Sequence, residues 1–178
     1  KLDIWNMGVD SDRWKVFRYN NLAHSTLTFN EKHQSVNGNA IIDNQIKLTN
    51  FTGVSTNLSS LYADEVGEVY RTIGLIDNKY LSVIDRINTK NLPVSTEWRL
   101  ITASAPVIIN DNLIELSQNG KKLLIKFNCE HKVSPEILSA QPLNNYEDRN
   151  DGVSIVNFKV ELPANTYSIL AVELVPQE

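Results

Sequence analysis

Residues 155–162 read Ile-Val-Asn-Phe-Lys-Val-Glu-Leu, with Val156, Phe158, Val160 and Leu162 alternating against Ile155, Asn157, Lys159 and Glu161. Successive side chains of an extended chain point to opposite faces, so this two-residue period predicts a strand with one apolar face. The same pattern recurs on either side. Leu123, Ile125 and Phe127 alternate with Lys122, Leu124, Lys126 and Asn128, and Leu170, Val172 and Leu174 alternate with Ile169, Ala171 and Glu173. No stretch longer than a turn repeats with the 3.6-residue period of a helix.

Between such runs stand short pairs that favour tight turns: Asp43-Asn44, Asp77-Asn78, Asp111-Asn112 and Asn119-Gly120. Asp and Asn tolerate positive φ and Gly adopts it freely, as a hairpin requires. Four such turns in succession predict an antiparallel meander. The expected fold class is therefore all-β, an antiparallel two-sheet β-sandwich of roughly a dozen strands with almost no helix. Residues 143–152, rich in Asn, Asp, Glu and Arg, read as one long surface loop, and residues 88–95 around Pro93 as a second irregular stretch. Strands resume at once on both sides of each, so residues 1–178 are expected to form a single domain. Trp5 and Trp98 sit within apolar alternation and are expected in the core.

Composition narrows the function. Hydrophobic residues are 42% and charged residues 21% of the 178-residue chain, a globular balance rather than a disordered one. The net charge of −4, from 17 basic and 21 acidic residues spread without blocks, leaves no basic footprint for nucleic acid. An acidic ligand would need a local patch of Arg, Lys or His. Cys129 is the single cysteine, which excludes an internal disulfide and a cysteine-rich metal site. No apolar run is long enough to span a membrane as a helix. The chain opens at Lys1, as expected of an excised or processed piece.

Chemistry-bearing residues concentrate near the start. Residues 13–34, RWKVFRYNNLAHSTLTFNEKHQ, hold Arg13, Trp14, Arg18, Tyr19, Asn20, Asn21, His24, His33 and Gln34. Further on come LYADEVGEVYRTIGLIDNKYLSVIDRI at 61–87, EWRLITAS at 97–104 and NGKKLLIKF at 119–127. In this order the segments resemble the C-terminal β-sandwich domain of heparinase II/III-like polysaccharide lyases, which enter their sandwich through a similar His-Asn/Ser-Thr-Leu stretch.

The resemblance implies a parent enzyme that cleaves uronate-containing polysaccharides by β-elimination, with a helical toroid upstream of the sandwich and a periplasmic or secreted location. It implies that the sandwich completes the cleft beside the toroid, so this chain alone is expected to be inactive. His24 stands at the motif position and is the expected catalytic residue of this chain. Arg18, Asn20, Asn21 and Trp14 are the expected substrate-binding residues, since aromatic faces stack on sugar rings and Arg pairs with carboxylates. Some relatives carry a second His two residues earlier, with a structural zinc; here that position is Leu22, and no metal or other cofactor is expected.

The residues taken alone leave bland readings open: His24 bonded to a neighbouring backbone group, Trp14 sealing the core edge, Arg18 paired with an acid, His33 and His131 as exposed histidines. The adjacent acids Asp64-Glu65 and Glu147-Asp148 read as solvated loop carboxylates. The alternative to a lyase domain is a non-catalytic carbohydrate-binding module, marked by exposed aromatics on one sheet, or a purely structural sandwich.

Overall fold

The alternating stretches form twelve strands in the computed structural model, which describes residues 3–177. They are β1 (Leu27–Phe29), β2 (Ile42–Lys47), β3 (Phe51–Asn57), β4 (Val66–Ile76), β5 (Tyr80–Thr89), β6 (Val94–Thr102), β7 (Ala105–Asn110), β8 (Leu113–Gln118), β9 (Lys121–Asn128), β10 (Val133–Ser139), β11 (Ser154–Leu162) and β12 (Tyr167–Gln177). Helical structure among the described residues is limited to four short 3-10 turns, three of which, Asp12–Lys15, Phe17–Tyr19 and Asn21–Ala23, follow one another before β1.

The strands form a four-stranded sheet, order β1-β6-β11-β10, and an eight-stranded sheet, order β2-β3-β4-β5-β12-β9-β8-β7, with antiparallel pairing throughout. The expected single meander is thus two meanders, β2 to β5 and β7 to β9, bridged by β12. Two of the chain crossings between the sheets, β5 to β6 and β11 to β12, meet at one corner. There Thr89 donates through Oγ1 to the Pro163 carbonyl at 2.6 Å and accepts from Thr166 N at 2.9 Å.

Three of the four expected turns are where the residues put them. Asp77 and Asn78 take φ of 52° and 54°, and Asn119 and Gly120 take 52° and 76°, the left-handed conformations a two-residue hairpin needs. At the third, Asn112 N donates to Asn110 Oδ1 at 2.9 Å, a side-chain turn of the Asx kind. Asp43-Asn44 is the correction: both lie inside β2, at a bulge between Ile42 and Asn44, and the β2–β3 turn falls at residues 48–50. Asp43 is held in the strand because its Oδ2 accepts from Asn57 N at 2.6 Å. The stretch around Pro93 is also shorter than expected, since β5 runs through Thr89 and β6 starts at Val94.

Between the sheets lies a core of Leu27 and Phe29, Val94 and Trp98, Val156, Phe158, Val160 and Leu162, meeting Val69, Ile87, Ile125, Phe127, Leu170 and Val172 from the larger sheet. Phe127 and Phe158 stack at 4.7 Å and Trp98 lies 6.3 Å from Phe158, a spacing at which aromatic pairs attract beyond simple area burial. Trp5 is a second correction: it is 84% exposed. Asp3 Oδ1 accepts from Trp5 N and Asn6 N, and this local turn ends the alternation before it becomes a strand.

Cys129 packs half-buried against the core. Burial pushes its thiol up, only partly offset by the hydrogen bond from His131 N. Since the thiolate is the nucleophile, Cys129 is expected to react with iodoacetamide at neutral pH many times more slowly in the native chain than in denaturant. Equal rates in both conditions would show the thiol to be open.

Candidate functional site: the turns before the first strand

Alternation places Ile155, Asn157, Glu97, Arg99 and Thr28 on the outer face of the four-stranded sheet, yet all five are buried. The chain before β1 and the polar loop 143–152 account for this. Glu147 accepts from Phe17 N at 2.7 Å, and Arg18 Nη2 donates to the Asp148 carbonyl at 2.9 Å. Glu147 is therefore an anchor rather than the solvated acid expected. Beneath the turns Arg99 is paired with Glu97 and donates through Nη1 to the Leu22 carbonyl at 3.2 Å.

These contacts clamp the backbone around His24. Arg99 N donates to Thr26 O at 3.1 Å, Ile101 N to Ser25 Oγ at 3.0 Å, and His24 N to Asn21 O at 3.1 Å. The EWR triplet at 97–99 thus has a mechanical role: it straps the His24 segment to β6. Tyr62 adds a second strap. Its hydroxyl donates to the Leu27 carbonyl at 2.8 Å and accepts from Gln34 Nε2 at 2.6 Å. Burial raises the Tyr62 hydroxyl above its ordinary value, with the bonds from Thr26 and Gln34 working the other way. Tyr62, Glu97 and Arg99 were not singled out from the sequence, and the signal that contained them was the pair of segments at 61–87 and 97–104.

The expected site residues take different positions. His24 is exposed, with Nε2 3.2 Å from the Arg18 carbonyl oxygen. A carbonyl only accepts, so Nε2 carries the proton and Nδ1 of the neutral ring is the free lone pair. The arrangement can therefore take a proton at Nδ1, or present a cation to a carboxylate once it has done so. The Arg18 guanidinium turns toward Asp148, 3.7 Å away and 93% exposed on its side chain, a pairing that contributes little and breaks easily.

Asn20 and Asn21 are buried. Asn20 Nδ2 donates to Trp14 O and Val16 O while Oδ1 accepts from Leu22 N. Asn21 Nδ2 donates to Thr28 Oγ1 and Lys32 O while Oδ1 accepts from Gln34 N. Both N–H groups of each amide are used internally, which leaves neither a donor for a sugar. Trp14 is half-buried with Nε1 donating to Gly8 O at 2.9 Å, beside Arg13, whose guanidinium lies 4.3 Å from the Tyr19 ring centroid.

Two hollows flank these turns. An open groove of about 720 Å³ is lined by Arg18 and Tyr19 but also by Asp12, Glu147 and Asp148, an acidic balance that repels a polyanion. A smaller one of about 310 Å³ brings together Trp14, Asn20, Asn21, His33 and Gln34. His24 lines neither. His33 is exposed, and His131 is half-buried with Nε2 3.0 Å from Ser168 Oγ.

Among the described residues no three His, Cys, Asp or Glu side chains stand close enough to hold a metal ion. Leu22, which stands where some relatives carry the second His, offers no metal donor, so a zinc held through that position does not fit these residues. No helix of the described residues is long and apolar enough to cross a membrane.

The fold is a two-layer antiparallel β-sandwich, and several solved lyase structures contain a similar one. Heparan sulfate lyase HepC from Pedobacter heparinus has a similar structure, with a TM-score of 0.70 and 18% identity over 90% of this chain and 25% of that one. A heparinase III gene product gives 0.68 at 12% identity over 89% and 25%, and a further heparinase III structure 0.64 at 12% over 85% and 23%. The chain thus spans about a quarter of the length of these enzymes. No protein-family model matches the sequence, and no curated protein matches it. At these identities the likeness establishes a shared fold.

Proposed function

We infer that residues 1–178 form the sandwich domain of a polysaccharide lyase that cleaves uronate-containing polysaccharides by β-elimination, outside the cytoplasm in the periplasm or medium. The observation that carries this is the match of nearly the whole chain to one quarter of heparan sulfate and heparinase III lyases. The exposed His24 ring on a clamped backbone supports it.

In β-elimination a base removes the proton at C5 of the uronate, the C4–C5 double bond forms, and the C4–O bond breaks as its oxygen is protonated. The carboxylate must be neutralised to acidify C5–H. His24 is suited to either of two parts: Nδ1 as proton acceptor, or the protonated ring beside the carboxylate. Arg18, released from Asp148, supplies a second cation, and Trp14 offers an apolar edge to a sugar. Asn20 and Asn21 act through the backbone they hold. The remaining acid–base groups belong to an upstream helical domain, with the sandwich closing one side of the cleft.

The test is the absorbance of unsaturated uronate product on heparan, chondroitin and alginate substrates. The 178-residue chain is expected to give no turnover and the longer parent to give turnover on at least one. Turnover by the chain alone would require a complete site within it, and a parent inert on all three would remove the lyase reading.

A further inference from the structure

We propose that the outer face of the eight-stranded sheet is a binding platform for an acidic polysaccharide chain, built on Tyr70, Arg86 and Tyr167 and separate from His24. The choice of a uronate polymer as occupant rests on the lyase reading. The platform itself rests on the geometry below.

Residues directly opposite in a sheet share a face. Tyr70 of β4 pairs with Arg86 of β5, Arg86 pairs with Ile169 of β12, and one step along Asn88 pairs with Tyr167. Their neighbours Val69, Ile87 and Leu170 are fully buried in the core, so this set points outward. Tyr70 is 36% and Tyr167 52% exposed. With β5 between them and one step of offset, their backbones stand about 12 Å apart by ordinary strand spacing. Two exposed rings at this separation suit two sugars of one extended chain, each stacking on an aromatic face.

Arg86 stands between the two rings, and beside Tyr70, on the side toward β3, the ground is low. Thr72 and Ser55 stand opposite one another, bonded at 3.3 Å. Beyond them the Phe51 ring lies flat over Gly53 and Gly74, where a Cβ at either position would collide with it. A flat surface is what a linear polymer needs to lie across several strands.

Charge selects the occupant. Arg18, Arg71, Arg99 and Arg149 each have a carboxylate partner, whereas among the described residues no carboxylate lies within ion-pair distance of Arg86 or of Arg13, and the Arg13 guanidinium is taken up by the Tyr19 ring. Its Nη1 donates to Thr72 Oγ1 at 3.0 Å, which fixes the group on the sheet and leaves its other N–H donors for a carboxylate or sulfate. The nearest acid on the face, Glu68, is engaged by Asn88 Nδ2 at 2.8 Å. The His24 turns cover the opposite layer, so the two sites operate independently.

The experiment is affinity electrophoresis of the 178-residue chain through gels holding heparan sulfate, alginate or uncharged dextran. Retardation by at least one acidic polymer, weakened by salt, and none by dextran is expected. Arg86→Gln and the double variant Tyr70→Ala/Tyr167→Ala should each weaken binding about tenfold or more. Lys132→Gln, which removes the same charge from the loop between β9 and β10, should bind as the original does, and all variants should keep the original Tm. No retardation by either acidic polymer, or undiminished binding by both platform variants, overturns the platform. Failure of the lyase reading appears elsewhere, as a parent without turnover, so the two outcomes are read separately.

Discussion

Replacing His24 with alanine in the parent enzyme is expected to lower kcat by about 10²-fold or more and to leave Tm nearly unchanged, the range for loss of a positioned acid or base. The separation of these effects follows from the structure. The backbone at residues 22–26 is held by Arg99, Ile101 and Asn21 through contacts that do not involve the imidazole. The ring itself makes one exposed hydrogen bond, to the Arg18 carbonyl, and surface substitutions of this kind change stability little. Unaltered turnover, or a loss of turnover that follows a fall in Tm, would assign His24 to structure.

Asp85→Ala should destabilise the fold by about 3–5 kcal/mol, the usual result of removing one partner of a buried ion pair. Arg71 and Asp85 face each other across β4 and β5, with Nε to Oδ1 at 2.6 Å and Nη2 to Oδ2 at 2.8 Å. Asp85 is completely buried and Arg71 nearly so. Burial works against the Arg71 charge, but Asp85 more than offsets it and holds the guanidinium above its ordinary value. Without the carboxylate, a desolvated cation is left facing apolar Ile87 and Val83. For a chain of this size Tm should fall by roughly 10 °C.

The double variant Arg71→Met/Asp85→Leu should recover much of the loss, because it removes both charges and keeps the volume. A single variant that melts within a degree or two of the original would show the pair to be unimportant, as would a double variant no better than the single.

Arg71 and Asp85 also mark where sequence reading stops. Fourteen positions apart, they look like any two surface charges until the β4–β5 register sets them face to face. Glu97 and Arg99 are harder still. They alternate outward from the core as polar strand residues should, but become buried because the turns before β1 and loop 143–152 lie over them. The aromatic platform is also out of reach of the sequence: Tyr70 and Tyr167 are far apart in the chain and come to one face of the sheet only because β12 adds to β5.

At the His24 segment, the motif marks a stretch of chain but not what its side chains touch. Asn20 and Asn21 read as donors for a sugar, and only the folded positions of Trp14 O, Val16 O, Lys32 O and Thr28 show those donors already used. Trp5 erred the other way. Its apolar neighbours suggested a strand, and the Asp3 side chain bonds the backbone out of one.

By itself the sequence determined the strands, most of the tight turns and the near absence of helix. These follow from side-chain alternation and from the φ preferences of Asp, Asn and Gly, which act over a few residues and need no partner. Tertiary structure decided which strands share a sheet, which charges are buried and which rings are exposed. Those outcomes depend on what covers each face, and the covering segments come from distant parts of the chain.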